Sequence, residues 1–501
     1  MLCLKHSKYQ NPNNSPICNM VRIEGELFMK QLYGLLIVIC FSFLFKFNAS
    51  AREVIIIKKW EPIEKQFSKS NVEYRLRKDI NLMGITLKLP HNSILNGAGR
   101  SLYNGTLVVS DGCEVRNISF KHTNVKMGNV AGVRIFDCDF VGSLSLTDIK
   151  ERNYTAAAIY GTDLKEISLE SIRIHGYQWG ISIVNSSDMT INNVTFVGIM
   201  NDSIDFDRHI VNANYHDAVH ISKSHTSNIS NINASNCGAC VLLGGTSNKN
   251  VIEKCSGEVL WDNGVYVSSG HNNVVQNCVF RNVRGSGVKV RGNCNVITNN
   301  SVINVGTGFT VTGFGPARGT DELGMNYNGY GSLVNGNTVQ NAKRYGVDIG
   351  IHGGLPVYRC SVTNNSIVDC AENSSAMGVI CNFATITGNN VVCPKSYGIV
   401  VIRMANKLSG GYIISENRIV CCRKGIALQN CTNSVVSNNS VSVGDQGILV
   451  YATEESSFIL NKFLGKGKYV VSESKKGTSN YYSFLEDGES LKSSEFVILE
   501  N

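Results

Sequence analysis

The stretch Ile297-Thr-Asn-Asn-Ser-Val302 decides the fold, because its frame returns through the second half of the 501-residue chain. In each copy an asparagine follows one branched aliphatic residue by three positions and precedes another by two, and the intervals between copies run from 22 to 37 residues. The six asparagines are Asn300, Asn337, Asn365, Asn389, Asn417 and Asn439. A frame that keeps its chemistry while its interval varies predicts stacked coils, with loops inserted into some of them.

Each coil contains a second element, a small residue followed by an alternating strand. Clear copies are Gly264-Val-Tyr-Val267, Gly287-Val-Lys-Val290 and Gly346-Val-Asp-Ile349. Side chains alternate across a strand, so the two aliphatic residues are predicted to point into the core and the middle residue to point outward. The asparagines are predicted to lie in a sharp turn, where Asn tolerates left-handed backbone and its amide bonds to the next Asn.

With these coils and this ladder, the chain resembles a right-handed parallel β-helix of the pectin lyase-like superfamily, over roughly residues 70 to 460. The resemblance implies an all-β fold, a parallel β-helix solenoid with an N-terminal cap and a C-terminal closing segment. The superfamily includes polysaccharide lyases, polygalacturonase-like hydrolases, epimerases, phage tailspikes and adhesins. Fold analogy alone therefore does not choose the reaction.

An export signal is predicted near the N-terminus. Met29-Lys30 is a short basic start, Leu32 to Phe45 is an apolar run too short for a comfortable membrane span, and Ala49-Ser-Ala51 is a small-residue cleavage site. We therefore predict an untranslated or disordered extension, a signal peptide, a cap with a short helix near Glu61 to Ser68 together with the first strands, the β-helix and a closing segment. Their respective bounds are 1–28, 29–51, 52–110, 111–456 and 457–501.

Composition supports a turn-rich β protein. Charged residues make up 17% of the chain, with 48 Gly and 7 Pro, and the formal charge is +8 from 47 basic and 39 acidic residues. No dense Lys/Arg cluster is present, which argues against nucleic-acid binding, while a mild positive charge suits an acidic polysaccharide. The 17 cysteines follow no zinc spacing. We predict mostly buried free thiols and leave open one or two bridges between neighbouring coils.

The outward-facing residues of successive strands form a row that is polar only in its middle. Adjacent strands lie about 4.8 Å apart, so Tyr266 and Lys289 are predicted neighbours, with Arg291 on the same face. Insertions at about 200–216 and 313–331 flank the polar part and predict a groove for an extended sugar chain. In order, the row is Ser182, His220, Val241, Tyr266, Lys289, Thr310, Asp348, Ile380, Val400, Ala427 and Leu449.

One reading of the polar part is β-elimination. In that reaction a base removes the proton alpha to a uronate carboxylate while a cation neutralises the carboxylate. Lys289, His220 or Tyr266 is the candidate base, and Arg291 is the candidate cation. Lys289 and Arg291 lie on one strand, whereas a related alginate lyase family would be expected to spread such a pair over several coils.

A second reading is hydrolysis, which needs two carboxyl groups about 5 to 9.5 Å apart. Asp217 and Asp262 precede strands two coils apart, at about 10 Å, and Asp348 is a further candidate together with two insertion residues, Asp205 and Asp207. His216-Asp-Ala-Val-His-Ile221 resembles the Asp-Gly-Ile-His coils of carbohydrate-active β-helices. The adjacent aspartates and the Gly-His-Gly of polygalacturonase-like hydrolases are missing, which counts against that chemistry.

Aromatic side chains gather beside the row. Trp179, Tyr215, Trp261 and Tyr345 are predicted either to stack on sugar faces or to pack beneath the loops. Thr310 is a candidate substrate-binding residue. No metal or other cofactor is predicted; calcium remains an alternative because aspartates occur in the insertions, although no dense acidic loop specifies it.

The sequence thus predicts an exported protein, whether periplasmic, cell-surface or secreted, that acts on a polysaccharide. Elimination in a uronate-containing chain is the first interpretation, hydrolysis with paired aspartates the second, and non-catalytic polysaccharide binding or a structural surface role the third. A polysaccharide is the expected partner. Nucleic acid and stable membrane insertion after signal cleavage are not expected, and the oligomeric state stays open.

Overall fold

The computed structural model describes most of the chain after the predicted signal peptide. The described residues are 52–58, 62–144, 156–200, 217–313, 319–320, 326–327, 329–350, 357–372, 374–402, 409–421, 423–444, 446–451, 453, 455–464, 468–472, 481–486, 489–490 and 497–499. Contacts divide the chain into residues 1–54 and 55–501, and all but three described residues belong to the second unit. The predicted extension and signal peptide lie outside the described residues, as does most of both insertions.

Strands make up nearly all of the regular structure. The first part of the chain has helix α1 (Ile63–Gln66) and strands β1 (Val54–Ile57), β2 (Glu73–Leu76), β3 (Ile80–Asn81), β4 (Thr86–Leu89), β5 (Ile94–Val109), β6 (Glu114–Gly128), β7 (Arg134–Val141), β8 (Ala157–Thr162), β9 (Ser168–His175), β10 (Trp179–Val184) and β11 (Thr190–Val197). The middle has β12 (Val219–Ser222), β13 (Asn228–Cys237), β14 (Val241–Gly244), β15 (Val251–Glu253), β16 (Ser256–Leu260), β17 (Val265–Val267), β18 (Val274–Gln276), β19 (Val279–Arg291), β20 (Val296–Thr298) and β21 (Ser301–Thr312).

The later coils repeat the same short strands. They begin with β22 (Gly319–Thr320), β23 (Asn326–Tyr327), β24 (Gly329–Tyr330), β25 (Leu333–Asn335), β26 (Thr338–Ile349), β27 (Val357–Tyr358), β28 (Ser361–Thr363), β29 (Ser366–Cys370), β30 (Ser375–Val379), β31 (Cys381–Asn382), β32 (Thr385–Thr387), β33 (Asn390–Cys393) and β34 (Tyr397–Val401). They end with β35 (Ser409–Gly410), β36 (Ile413–Ser415), β37 (Arg418–Cys421), β38 (Lys424–Gln429), β39 (Cys431–Thr432), β40 (Val435–Ser437), β41 (Ser440–Val443), β42 (Gln446–Tyr451), β43 (Ser457–Leu464), β44 (Lys468–Ser472), β45 (Tyr481–Glu486), β46 (Glu489–Ser490) and β47 (Val497–Leu499).

Each strand pairs in parallel with the equivalent strand of the next coil, which is the arrangement of a parallel β-helix. Among the described strands, only the short pairs β22–β23 and β45–β46 are antiparallel. We call the stack that carries the predicted outward row the front sheet. It contains β8, β10, β12, β14, β17, the C-terminal halves of β19, β21 and β26, then β30, β34, β38, β42, β44 and β47.

The predicted asparagine ladder is present and fully buried. The side-chain oxygen of Asn337 accepts hydrogen bonds from the backbone N and the Nδ2 of Asn300 at 2.9 and 3.0 Å. Its own Nδ2 donates to the carbonyl of Ile297 at 2.9 Å and to Oδ1 of Asn365 at 3.0 Å. Each amide thereby satisfies backbone and side-chain groups of both neighbouring coils, which is how buried polar groups are kept without loss of stability.

The ladder asparagine was predicted to take the left-handed conformation. The residue before it takes that conformation instead. Asn299, Asn364 and Asn438 have φ values of 54°, 55° and 55°, and Gly336 and Gly388 take the same place in their coils. The left-handed conformation costs the least free energy for Gly, and less for Asn and Asp than for most other residues. This explains the Asn-Asn and Gly-Asn pairs of the repeat. A second ladder, missed in the sequence, joins Asn250, Asn273 and Asn295 by side-chain bonds of 3.1 Å.

The small residue of the repeat is needed because neighbouring coils approach closely. A Cβ on Gly264 would lie 2.3 Å from the carbonyl oxygen of Gly287 and 2.4 Å from the ring of Phe280. Glycine at this position also marks a break in the strand alternation: the glycine faces inward, and so does the residue after it. The residue before the glycine therefore faces outward, which adds a second outward row to the front sheet.

The coils extend further at both ends than the sequence frame predicted. Helix α1 is shorter than the predicted helix, and strands inside 52–110 already stack, since β2 pairs with β5 and β5 with β6. Beyond 457 the frame continues, because Asn461 accepts from the Nδ2 of Asn439 at 2.8 Å and β43 pairs with β40 and β41. The sequence frame missed this coil because Phe458 and Phe463 stand where the other copies have branched aliphatic residues.

The cysteines of the described coils are free thiols, as predicted. Twelve of the thirteen are buried, and Cys294 is half-buried. Burial raises the pKa of Cys138 to about 12, so that thiol stays protonated and unreactive. In the part of the chain that the structure describes, no helix combines the length and the apolar character needed to span a bilayer.

Candidate active site

Strand pairing confirms the outward row of the front sheet and corrects two of its members. The observed order is Ser182, His220, Leu242, Tyr266, Lys289, Thr310, Asp348, Gly378, Val400, Ala427 and Leu449. The assignments of Val241 and Ile380 to this row were wrong. The small residue was aligned one position out of register in the coil of Val241 and two positions out of register in the coil of Ile380. Val241 points into the core with no exposed surface, and Ile380 follows strand β30.

Tyr266, Lys289 and Arg291 lie together on the front sheet, as predicted. Tyr266 and Lys289 are directly paired between β17 and β19. Nζ of Lys289 lies 5.4 Å from the centroid of the Tyr266 ring, and Cζ of Arg291 lies 5.5 Å from it. All three side chains are half-buried. Two cations therefore share one aromatic ring, an arrangement that is favourable for each cation but brings like charges together.

The electrostatics of this cluster lower the pKa of Lys289. Burial, and then the positive charges of Arg291 and Arg344, hold the pKa of Lys289 below its ordinary value, while Asp262 and Asp348 act in the opposite sense. Burial raises the pKa of Tyr266, and Asp262 adds to that rise. The pKa shifts of Lys289 and Tyr266 therefore run in opposite directions.

Arg291 has donor capacity that the described structure does not use. Its Nε is buried and has no hydrogen-bond partner among the described residues. A buried guanidinium without its full set of acceptors is costly, and a carboxylate is the group that matches its planar fork. The geometry therefore suits an incoming anion.

Thr310 and Asp348 continue the row but are buried beside the cluster. Thr310 pairs with Lys289 on one side and with Asp348 on the other. The Thr310 hydroxyl, which was predicted to bind substrate, lies 2.9 Å from the Ser286 hydroxyl and forms a hydrogen bond with it. Asp348 has no exposed surface. Burial, and then the negative charge of Asp348, raise the pKa of Tyr345. Tyr345 is half-buried. Of the predicted sugar-stacking aromatics that the structure describes, it is the one still placed to contact a sugar.

His220, one of the three candidate bases, lies on a strand three spacings from that of Lys289. It is 6% exposed, its Nδ1 lies 3.5 Å from Oγ of Ser182, and its ring lies 5.4 Å from that of Trp179. Leu242 and Tyr266 separate its strand from that of Lys289, a distance of about 14 Å by strand spacing. An outward direction places a side chain on a face of the sheet but does not expose it.

The predicted carboxylate pair is not brought together for hydrolysis. Asp217 is 1% exposed, and its Oδ1 accepts a hydrogen bond of 2.7 Å from the backbone N of Ala239. Asn263 makes the equivalent bond to Ser286 two coils later, so Asp217 takes a structural position in the turn. Asp262 is half-buried and acts on Lys289 and Tyr266. Three other candidates lie outside the described residues: the carboxylates Asp205 and Asp207 and the aromatic Tyr215.

Trp179 and Trp261 do not form a sugar-stacking surface. They are 1% and 2% exposed, so the packing alternative holds for both. The sequence could not separate the two outcomes, because a large ring ahead of an outward strand is compatible with either.

The sequence missed a second outward row, which we call the flank row. It consists, from strand β19 onward, of the residues before the small residue of each coil: Ser286, Thr307, Tyr345, Ser375, Tyr397, Lys424 and Gln446. The recurring position of Gly264, Gly287 and Gly346 in the repeat was the available signal for this row, since glycine inside a strand often marks an irregularity. Arg344, beside this row, was also missed.

Two family models match successive parts of the chain. A right-handed β-helix region matches residues 199–321, and a model described as periplasmic copper-binding protein (NosD) matches residues 315–493. Copper sites use His, Cys and Met ligands. Within the described residues, no group of three or more His, Cys, Asp or Glu is placed to hold a metal ion, so we derive no chemistry through copper.

Solved structures share the fold at low sequence identity. A PL6 alginate lyase in complex with a trisaccharide is 13% identical over 69% of this chain and 86% of its own, with a TM-score of 0.51. The catalytic domain of a GH87 α-1,3-glucanase in complex with tetrasaccharides is 14% identical over 73% and 69%, with a TM-score of 0.49. The tailspike protein of E. coli bacteriophage HK620 is 12% identical over 83% and 74%, with a TM-score of 0.43.

The chain folds as a right-handed parallel β-helix. No curated protein sequence matches it significantly. At 13% identity the alginate lyase structure informs the fold alone. The function has to be argued from the residues of the site.

Proposed function

We propose that this protein cleaves a uronate-containing polysaccharide by β-elimination at the cluster of Tyr266, Lys289 and Arg291. The observation that carries the proposal is the half-buried Lys289, whose pKa is lowered while it lies against the same ring as Arg291. A base with a lowered pKa beside a fixed cation is the pair that proton abstraction alpha to a carboxylate requires.

The reaction uses each member of the cluster once. Arg291 binds the uronate carboxylate and stabilises the charge that develops on it. Neutral Lys289 removes the proton from the carbon alpha to that carboxylate. The electron pair of the broken C–H bond forms a carbon–carbon double bond, and the bond from the β-carbon to the glycosidic oxygen breaks. Tyr266, which keeps its proton because its pKa is raised, donates that proton to the departing oxygen.

Carboxylate spacing supports elimination over hydrolysis. The strands of Asp262 and Asp348 are separated by three strand spacings, about 14 Å, which exceeds the 5 to 9.5 Å that a glycosidase pair needs. Asp217 is buried and bonded to the backbone. Of the carboxylates on the described front sheet, none forms the pair that either hydrolytic mechanism uses.

Export fits this activity. The predicted signal at 29–51, together with a family model described as periplasmic, supports a location in the periplasm, on the cell surface or outside the cell. Polysaccharides are available there, and the basic net charge of +8 favours an anionic one.

A parallel assay of two products tests the proposal. The protein is incubated with polygalacturonate, alginate and neutral glucans, and the absorbance of unsaturated uronides is followed together with reducing ends. We expect both signals to rise on an acidic polymer. Reducing ends without unsaturated product would indicate hydrolysis, and binding without either signal would indicate a non-catalytic polysaccharide-binding protein.

The pH profile of kcat/KM should shift in opposite directions in two variants. The rate rises with pH as Lys289 loses its proton. Asp262→Asn removes a carboxylate that raises the pKa of Lys289, so the rising limb should move to lower pH. Arg344→Gln removes a cation that lowers this pKa, so the limb should move to higher pH. Steady-state kinetics across the pH range measures both shifts.

The shape of these profiles separates the two mechanisms. If Asp262 were a hydrolytic carboxylate, Asp262→Asn would abolish turnover instead of moving the limb. Arg134→Gln is the matched control for the arginine variant, because Arg134 is exposed on β7, away from the front sheet. Equal profiles in all variants would contradict Lys289 as the base.

A further inference from the structure

A second cluster of cations and an aromatic ring lies on the front sheet, beyond the candidate active site. Cζ of Arg423 lies 5.8 Å from the centroid of the Tyr397 ring, and Nζ of Lys424 lies 5.7 Å from it. Nη1 of Arg423 donates to the Tyr397 hydroxyl at 3.5 Å. All three side chains are half-buried. The arrangement repeats the chemistry of Tyr266, Lys289 and Arg291 with different residues.

Both clusters lie on the front sheet, the first on the outward row and the second on the flank row. Tyr345 and Tyr397 belong to the flank row with Ser375 between them, and Lys424 follows in the next coil. The strand of Tyr397 is four strand spacings beyond that of Lys289, which is about 19 Å. A ligand that reaches both clusters must therefore cross four coils.

Past Tyr345, the flank row and the outward row carry small, uncharged residues. In the coil between the two tyrosines, the flank row has Ser375 and the outward row has Gly378. The next two members of the outward row are Val400 and Ala427. These residues carry no charge that competes for a bound chain, and Asp348, the charged member of the outward row between the two clusters, has no exposed surface.

Arg423 forms an ion pair with Glu372 that a ligand carboxylate can replace. Its Nη2 lies 3.6 Å from Oε1 of Glu372, and 66% of the Glu372 side chain is exposed. Exposed ion pairs of this kind contribute little, because water and salt screen them. A carboxylate held against Tyr397 as well as Arg423 would be more buried than Glu372 and would gain more from the guanidinium.

We propose that Tyr397, Arg423 and Lys424 form a remote uronate-binding subsite, so that the substrate is a linear polyanionic chain long enough to span about four coils. This inference rests on the proposed function and extends it to the size and charge of the substrate. The cations bind the carboxylate of one sugar residue and the Tyr397 ring contacts a sugar face. Binding energy gained there is available to hold the reacting residue at Lys289.

The test compares long and short ligands in a protein that cannot turn them over. Calorimetry on Lys289→Met protein measures the affinity of uronate trisaccharides and of uronate oligomers of eight or more residues, from polygalacturonate and alginate. Adding Arg423→Gln with Lys424→Gln should weaken the long oligomers about tenfold to a hundredfold and leave the trisaccharides unchanged. Tyr397→Ala should have the same selective effect.

A matched control and three outcomes make the test decisive. Arg418→Gln is the control, because Arg418 is exposed on β37 and bonds Asn390 outside the front sheet. Equal loss for long and short ligands, or no loss, would overturn the subsite while the proposed function stands. Binding of neutral but not acidic oligomers would overturn the subsite as well. Failure of the unmodified protein to bind any uronate oligomer would overturn both proposals.

Discussion

Replacing Lys289 with Met should lower the rate of unsaturated-uronide formation by about 10²- to 10⁴-fold, the range that a general base contributes. Met keeps most of the length and the apolar stem of lysine but cannot accept a proton. The remaining rate would come from the binding of the carboxylate by Arg291. Initial rates on the polysaccharide that the unmodified protein cleaves measure the effect.

Stability separates a lost base from a lost fold in this variant. Because the pKa of Lys289 is lowered in the folded protein, folding weakens proton binding there, and the charged lysine opposes folding at pH values below its folded pKa. Lys289→Met should therefore be as stable as the unmodified protein, or more stable. Lys88→Met is the matched control, since Lys88 is exposed on β4. Full activity in Lys289→Met would contradict the proposed mechanism.

Replacing Asn337 with Ala should lower the free energy of unfolding by about 3 kcal/mol or more, because several buried groups lose their partners at once. The backbone N and the Nδ2 of Asn300 lose their acceptor, and the carbonyl of Ile297 loses a donor. The change lies in the middle of the ladder, so it weakens the interfaces with both neighbouring coils. The denaturant concentration at half-unfolding measures the loss.

An asparagine outside the ladder provides the comparison. Asn390 is partly exposed on β33, and its side chain accepts one hydrogen bond, from Arg418 at 3.0 Å. Asn390→Ala should change the free energy of unfolding by about 0.5 kcal/mol or less, as surface substitutions usually do. If the two variants were equally stable, the ladder would not be a main source of stability.

The fold could be predicted because its signals are local and repeated. The frame around Asn300 specifies which residue of each coil turns and which residues are buried, and every copy carries the same information. The same frame predicted that Tyr266 and Lys289 are neighbours, since in-register parallel pairing converts equivalent positions into adjacent ones. Register was wrong at Val241 and Ile380, where the small residue occurs at a different offset from the strand.

Exposure and partnership in the site could not be predicted from the same signals. Trp179, Trp261 and Asp217 were candidates for contact with substrate, and the structure buries all three. Burial depends on what packs against a residue, and the repeat does not specify that. The flank row was missed because a break in strand alternation adds an outward position that period-two reasoning assigns to the interior.

By itself, the sequence determined the parallel β-helix, its asparagine ladder and the row of outward positions that contains Tyr266, Lys289 and Thr310. Each of these depends on a spacing along the chain, and a repeated spacing is visible in the sequence. Only the tertiary structure decided that Arg291, Arg344 and Asp262 act together on the pKa of Lys289, and that Tyr397 meets Arg423 and Lys424. These groups come from different coils, and their electrostatic and aromatic contacts depend on side-chain direction and burial, which coil stacking creates.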